Sequence, residues 1–331
     1  MKQTTGIVIL YIIIICILAG CSATPAVRDT TVFCMDTAMN LRIYGDDGAA
    51  AGELTELLSG LDAALSVTDA HSALYALNET GESRDETVLA LWSEAATICA
   101  RTDGAVDPTV YPAVRLWGFT TEHYRVPDAR EIADALAAVG AGKVRCDGGA
   151  ITLPSGAALD FGAFAKGWAG DLCRRTLERR GLSAILTLGG NIQTVGSKPD
   201  GSDWAVGVAN PDLPSSYCVT LHLRGSKAVV TSGDYQRFFE RDGVRYCHIF
   251  DPDTGAPVQN ELRSVTVVCD SGVTADGLST ALFVMGLEQA AAFWRQSEDF
   301  EAVFIDDSGT IYVTEGLKDA ASGAAFTVIA R

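Results

Sequence analysis

The sequence lacks the short motifs that identify most nucleotide-binding enzymes and zinc hydrolases. It contains no GxxxxGK[ST] phosphate loop, no GxGxxG fingerprint and no GxSxG elbow, and none of its four histidines lies in an HExxH motif. Basic residues are also few, with 25 lysines and arginines against 42 acidic residues and a net charge of -17. Sequence-independent nucleic-acid binding needs clustered basic residues, so we expect no nucleic-acid partner.

The cysteines form no recognisable zinc site or disulfide framework, because no two of them make a CxxC pair. Seven follow Cys21, at scattered positions: Cys34, Cys99, Cys146, Cys173, Cys218, Cys247 and Cys269. We expect most of these to be small, buried, apolar residues.

The N-terminus carries one apolar run, GIVILYIIIICILAG, directly before Cys21. The run has the length of a signal-peptide core and is short for a membrane span. LAGC, residues 18–21, resembles a bacterial lipobox, which implies cleavage before Cys21 and lipidation of its sulfur. We therefore predict a signal peptide over 1–20, a tether over 21–30 and a folded part over 31–331, lipid-anchored at the extracytoplasmic face of the cell membrane. An uncleaved N-terminal anchor is the alternative, and it also places the chain outside that membrane.

Hydrophobic periodicity predicts an α+β fold. Early segments have helical spacing or helix stop signals: 51–66, 86–102, 127–139 and 160–181. Later segments are short, rich in valine, isoleucine and aromatic residues, and typical of strands: 184–190, 204–210, 217–223, 227–233, 245–250, 264–268, 301–307, 310–316 and 325–331. Two helices, 275–286 and 287–296, interrupt the strands. Because helices come early and strands dominate late, α+β is favoured over a regular βαβ order.

The segment TADGLSTALFVMG contains a pair of oxygen-bearing side chains at helical spacing. Asp276 and Thr280 are i and i+4, so they project from one face of a helix, and Ser279 lies beside them. A carboxylate and a hydroxyl are hard ligands of the type that Mg2+ accepts. The alternative is that Asp276 favours the helix dipole and Thr280 bonds back to a carbonyl.

Three further segments are weak signals when each is taken alone. Asp107 precedes a proline, which is typical of a turn. The pair Gly189 and Gly190 ends a predicted strand, where it would allow close approach of backbone N–H groups to a phosphate or of a second strand. His248 lies in a strand-like run, where it is either a packed residue or a catalyst.

The segment DFGAFAKGWAGD places Lys166 six residues after Asp160 with mostly small residues between them. One explanation is structural, since small residues let a helix start pack closely. The other is chemical, since a backbone that approaches a ligand closely would let Lys166 reach its negative charge.

The order and spacing of these motifs together closely resemble the ApbE family of FAD:protein FMN transferases. The matching segments are MDT (35–37), GAVDPTV (104–110), DFGAFAKGWAGD (160–171), LGGN (188–191), TSGDYQRFF (231–239), YCHIFDPDTG (246–255) and ADGLSTALFVMG (275–286). The resemblance implies that FAD binds between a T-fold-like lobe and a smaller α/β lobe.

The resemblance also implies roles for individual residues. The positions that match flavin-contacting residues are Met35, Ala105, Val106, Asp107, Asp160, Lys166 and Phe250. The positions that match Mg2+ ligands are the Ala163 carbonyl, Asp276 and Thr280, with Ser279 where some members have an additional acid. His248 matches the histidine of the family's HIxDPxTG motif. It is our candidate catalytic base, since an unperturbed pKa of about 6.5 suits a base near neutrality.

The implied reaction is Mg2+-dependent transfer of FMN from FAD to a threonine or serine hydroxyl, with release of AMP. In the family, the acceptors are exported proteins such as Rnf/Nqr-type respiratory subunits. Two alternatives remain: an FAD pyrophosphatase that uses water as the acceptor, and a non-catalytic FAD-binding lipoprotein.

Overall fold

The computed structural model describes residues 26–46 and 48–331. The predicted signal peptide and the lipidation site at Cys21 lie outside these residues, as does the first half of the predicted tether, residues 21–25. Within the described residues, no helix is both long enough and apolar enough to cross a membrane.

Seven α-helices occur in the described residues. They are α1 (Ala49–Leu65), α2 (Ala73–Thr80), α3 (Glu86–Arg101), α4 (Tyr111–Leu116), α5 (Ala129–Leu136), α6 (Ala165–Arg179) and α7 (Gly272–Arg295). Helix α7 is broken at Gly286, whose φ of 74° and ψ of 169° are not helical, so it corresponds to the two helices predicted there. Short 3-10 turns cover Pro108–Val110, Ala141–Lys143 and Glu315–Leu317.

The nineteen strands of the described residues follow in chain order. They are β1 (Val27–Cys34), β2 (Thr37–Tyr44), β3 (Glu82–Ser83), β4 (Arg145–Asp147), β5 (Ala150–Thr152), β6 (Ser183–Leu188), β7 (Asn191–Val195), β8 (Trp204–Asn210), β9 (Leu213–Leu223), β10 (Ala228–Gly233), β11 (Phe238–Arg241), β12 (Val244–Cys247), β13 (Phe250–Asp251), β14 (Ala256–Pro257), β15 (Leu262–Cys269), β16 (Phe300–Asp306), β17 (Ile311–Thr314), β18 (Ala321–Gly323) and β19 (Thr327–Ile329).

A nine-stranded sheet forms the main body, in the order β1-β2-β6-β7-β10-β15-β16-β17-β19. Its neighbours pair antiparallel except for β17 and β19, which are parallel. Strand β1 pairs with β2 from Val27 onward, so the folded part begins four residues before the predicted boundary at residue 31.

The central strands β10, β15 and β16 of this sheet are covered on both faces. On one face, β10, β15 and β16 pack against α7 through Val230, Val267 and Phe304. On the other face, the three-stranded sheet β18-β9-β8 packs against alternate residues of the same strands, among them Val229 and Val303. Alternation of side chains along a strand sends neighbouring valines into different cores, which explains why these segments read as continuous apolar runs.

Helices α6 and α7 meet backbone to backbone near their N-termini. A Cβ atom at Gly167 would lie 2.1 Å from the carbonyl oxygen of Gly272, and one at Gly272 would lie 2.2 Å from the carbonyl oxygen of Gly167. No side chain fits at either position. The small residues of the 160–171 segment therefore have a packing role, and this packing brings α6 and α7 together at the site described below.

Replacement of Gly167 by alanine is expected to destabilise the fold by about 3 kcal/mol, since the added methyl group would clash with backbone rather than with a movable side chain. Gly60→Ala is the matched control, because Gly60 lies in α1 with nothing within 4 Å of an added Cβ. That variant should gain about 0.5–1 kcal/mol from helix propensity. Urea unfolding of both variants measures the difference, and equal stabilities would contradict the close approach of α6 and α7.

Candidate active site

The start of α6 has a free N–H group that the site uses. Gly167 is the third residue of α6, and the first N–H groups of a helix have no partner within their own helix. The Gly167 N–H donates to Oδ2 of Asp276 in α7, at 2.8 Å. Among the described residues, nothing donates to the carbonyl of Ala163, which lies two residues before α6. The Gly167 N–H therefore holds Asp276 at the helix start, and the Ala163 oxygen is available as a ligand.

Asp276 is the buried acid of this site, with 4% of its surface exposed. Burial raises the pKa of its carboxyl group, while the Lys166 charge, the Gly167 N–H and the Asn191 side chain oppose that rise. Burial disfavours the charged form of a carboxylate unless positive charge lies close to it. A cation bound at Asp276 would stabilise that charged form.

Lys166 supplies positive charge to three predicted site residues. Its ammonium opposes the rise that burial causes in the pKa values of Asp160 and Asp276, and it adds to the fall that burial causes in the pKa of His248. Its only hydrogen bond within the described part of the chain is a long one, 3.4 Å, from Nζ to the Gly162 carbonyl. The charge is thus placed among the site residues without being neutralised by a close ion pair.

Asp160 lies at the start of the same turn. Its Oδ1 accepts the Gly162 N–H at 2.8 Å, and its own N–H donates to the Pro108 carbonyl at 2.9 Å. Burial raises the pKa of this carboxyl group, against the Gly162 N–H and the charges of Lys166 and Arg237. The contact with Pro108 joins the 160–171 segment to the predicted flavin-binding segment 105–107.

His248 lies in a bend after β12, not within the strand that the sequence predicted over 245–250. Its backbone N–H donates to the Arg237 carbonyl at 3.0 Å, and within the described residues its buried Nδ1 has no partner. Burial, together with the charges of Arg237 and Lys166, lowers the pKa of the imidazole to about 4. The expected pKa near 6.5 therefore needs correction: the ring is neutral at pH 7, but it is a weaker base.

Met35 forms a strained turn with Asp36 between β1 and β2. Both residues have positive φ angles, 50° and 56°, a conformation that two-residue hairpin loops usually obtain from asparagine or glycine. The Met35 N–H donates to Oδ1 of Asp62 at 2.9 Å, which helps to hold the turn. Thr37 packs against Gly189, so the MDT and LGGN segments lie side by side.

The buried side chain of Asp107 holds the segment 105–107 in place through hydrogen bonds. Oδ1 of Asp107 accepts the N–H and the hydroxyl of Thr109, and Oδ2 accepts the Ala141 N–H at 2.9 Å. The carboxylate is therefore occupied by the turn itself. Val106 is buried and Ala105 is packed at the edge of the core, so the flavin contacts predicted for this segment are left to its backbone.

The side chain of Phe250 is also engaged. It is buried and packs edge to face on Trp117 and Phe119, at ring-centre distances of 6.2 and 5.5 Å. Tyr246 and Phe239 continue this aromatic cluster. A flavin contact at position 250 therefore remains a prediction for the backbone.

The predicted metal ligands on α7 differ in how free their oxygens are. Ser279 is fully buried, and its hydroxyl donates to the Asp276 carbonyl at 2.9 Å. Ser279 Oγ also lies 2.8 Å from Ser232 Oγ, while Thr280 Oγ1 lies 3.2 Å from Ser232 Oγ. Thr280 is only partly buried. Of the two hydroxyls, Thr280 has the better access to a ligand, and Ser279 is bound within the protein.

The donor set fits Mg2+ better than it fits a softer metal. In the described residues, no group of three or more histidines, cysteines, aspartates or glutamates could hold a metal ion. The predicted ligands are instead one carboxylate, one carbonyl and one hydroxyl, all of which offer oxygen. Mg2+ is usually held by one or two carboxylates and completes its shell with water and substrate phosphates.

Three residues of the site had no role in the sequence prediction: Asn191, Arg237 and Ser232. The Asn191 side chain stabilises the charged form of Asp276. The charge of Arg237 stabilises the charged form of Asp160 and disfavours the charged form of His248. All three lie in segments that the motif comparison had already marked, LGGN and TSGDYQRFF. Their position in these two matched segments is therefore the sequence signal that could have identified the three residues.

Comparison with known proteins decides the family. A model of the ApbE family matches residues 35–304. The chain belongs to the ApbE family. Two curated relatives named FAD:protein FMN transferase are similar to it over most of their length. The Klebsiella pneumoniae protein is 32% identical over 85% of this chain and 89% of its own. The Vibrio cholerae protein is 33% identical over 91% and 95%.

Solved ApbE structures share the fold. The ApbE protein of Thermotoga maritima has a TM-score of 0.83 at 31% identity and covers 89% of this chain and 99% of its own. The apo flavinyl transferase ApbE of Pseudomonas stutzeri has a TM-score of 0.81 at 31% identity, with 90% and 97% covered. The predictions of an ApbE-family chain, an α+β fold and a transferase enzyme are confirmed.

The imidazole of His248 in this ApbE-family chain is expected to stay neutral down to about pH 4, because burial and two nearby cations disfavour its charged form. NMR titration of the ring nitrogens measures this midpoint directly. Loss of the signal in His248→Gln assigns the resonance. A midpoint near the unperturbed value of about 6.5 would contradict the environment described here.

Proposed function

We propose that this chain transfers FMN from FAD, in a Mg2+-dependent reaction, to a threonine or serine hydroxyl of an exported protein and releases AMP. The relatives named FAD:protein FMN transferase support this reaction class. One structural observation carries the proposal to this chain's own residues: the Gly167 N–H holds Asp276 at the start of α6, two residues after Ala163, whose carbonyl has no donor among the described residues.

The proposed cation ligands are the Ala163 carbonyl oxygen, the Asp276 carboxylate and the Thr280 hydroxyl. When bound there, Mg2+ would supply neutralisation of the pyrophosphate charge. Transfer of a phosphoryl-linked group depends mainly on positioning and charge, so few covalent roles are left for the protein. Lys166 binds and orients the same phosphates, since its ammonium has no close acidic partner among the residues that the structure describes.

His248 is proposed to accept the proton of the attacking hydroxyl. Its ring is neutral at pH 7 and so able to accept a proton, although its lowered pKa makes it a weak base in the free protein. Burial is the largest cause of this lowered pKa, and the charges of Arg237 and Lys166 contribute to it. An anionic substrate placed against them would offset their effect and make the ring more basic.

The cellular setting is part of the proposal. Lipidation at Cys21 would tether the enzyme to the extracytoplasmic face of the cell membrane, near membrane-bound acceptors of the Rnf/Nqr type. The motif LAGC and the apolar run before it support this placement.

The decisive experiment incubates the full-length chain in detergent with FAD, Mg2+ and an acceptor domain that offers a threonine or serine. Intact mass of the acceptor and released AMP are measured together. An FMN adduct with matching AMP, abolished by EDTA, is the expected result. AMP with free FMN and no adduct would favour the pyrophosphatase or an unsuitable acceptor, and no AMP would favour the binding protein.

His248→Ala is expected to lower the transfer rate by about 100-fold or more, the usual contribution of a general base. His222→Ala is the matched control. His222 is an exposed histidine that hydrogen-bonds to Ser322 in the three-stranded sheet β18-β9-β8. The rate of AMP release under saturating FAD and acceptor is the measurement. A rate that survives His248→Ala with only a small loss would end the proposed role.

A further inference from the structure

Three hydroxyl groups lie in series between strand β10 and helix α7. Ser232 Oγ lies 2.8 Å from Ser279 Oγ and 3.2 Å from Thr280 Oγ1. Ser279 Oγ lies 2.9 Å from the backbone carbonyl oxygen of Asp276. Each hydroxyl has a single hydrogen to donate, so three hydrogens must serve three contacts.

Only one assignment of these hydrogens satisfies all three contacts. A carbonyl can only accept, so Ser279 gives its hydrogen to Asp276. Ser232 must then donate to Ser279. Its own hydrogen is thereby used, and Thr280 must donate to Ser232.

The position of Ser279 explains why Thr280 does not turn its hydroxyl into its own helix. A helical threonine commonly donates to the carbonyl four residues earlier, which here is that of Asp276. Ser279 donates to that carbonyl from three residues away. Ser232, on the neighbouring strand, is the acceptor that remains for Thr280.

We propose that Ser232 is a positioning residue for the cation site: it accepts the Thr280 hydrogen and so keeps the lone pairs of Thr280 Oγ1 available to Mg2+. Ser279 then acts as the last member of this hydroxyl relay rather than as a metal ligand. The inference rests on the Mg2+ ligands of the proposed function and goes beyond them to a residue to which the family resemblance assigned no role.

The test measures metal affinity rather than turnover. Binding of Mn2+, as a paramagnetic substitute for Mg2+, is followed by the loss of the free-ion EPR signal, with the full-length chain in detergent and with or without FAD. Ser232→Ala should weaken Mn2+ binding by about 10-fold, the lower end for residues that orient metal ligands. Ser232→Thr keeps the hydroxyl and should bind Mn2+ within about two-fold of the wild type.

Thr231→Val is the matched control for lost hydroxyl bonding. Thr231 is the preceding residue of β10, and its Oγ1 pairs with that of Thr266 at 2.8 Å, away from Thr280. This variant should lose some thermal stability but no Mn2+ affinity. If Ser232→Ala fails to fold, Ser232→Cys tests the same position with a weaker acceptor, and it should also bind Mn2+ less tightly than the wild type.

Two results would overturn the relay while leaving the proposed function intact. One is Mn2+ binding by Ser232→Ala that equals that of the wild type. The other is weaker binding in Ser279→Ala without any weakening in Ser232→Ala, which would make Ser279 a direct ligand. Absence of Mn2+ binding by the wild-type chain, with and without FAD, would overturn both the relay and the proposed metal site.

Discussion

The hydrogen bond from the Gly167 N–H to Asp276 is the interaction on which the candidate site depends. The donor is one of the N–H groups that a helix start leaves without a partner in its own helix, and here it anchors a buried carboxylate of the neighbouring helix. The bond is possible only because α6 and α7 approach within backbone contact at Gly167 and Gly272. The packing of α6 on α7 and the position of the Asp276 carboxylate therefore depend on each other.

The electrostatics of the site run against those of the whole chain. The protein carries a net charge of -17, yet Lys166 and Arg237 act together on Asp160 and His248. Two basic side chains within a small site suit a small anion, whereas a nucleic acid would meet the acidic surface of the whole protein first. Burial and the same two charges lower the pKa of His248, so we propose that an anionic substrate bound against these charges makes the ring more basic.

Sequence patterns predicted the elements better than they predicted the site chemistry. Strand β8 was expected at its observed bounds, and the i, i+4 spacing of Asp276 and Thr280 needed only a helix to become a shared face. The lowered pKa of His248 depends on burial and on Arg237, which lies eleven residues away across the β11–β12 hairpin. Asp107 and Phe250 were predicted to contact a flavin because of their positions in the motifs. In the structure, the Asp107 oxygens accept hydrogen bonds from Thr109 and Ala141, and the Phe250 ring packs on Phe119.

The 160–171 segment shows why a motif can have a structural and a chemical explanation at once. Its small residues are required for packing, because Gly167 has no room for a Cβ atom. The same lack of a side chain at Gly167 lets its backbone N–H bond to Asp276 in α7, and the carbonyl of Ala163 is a ligand in the proposed cation site. Lys166 directly precedes Gly167, so its charge lies close to this contact between the two helices. A sequence that must bring two helices into backbone contact thus also provides a site at which a phosphate and its cation can approach the main chain.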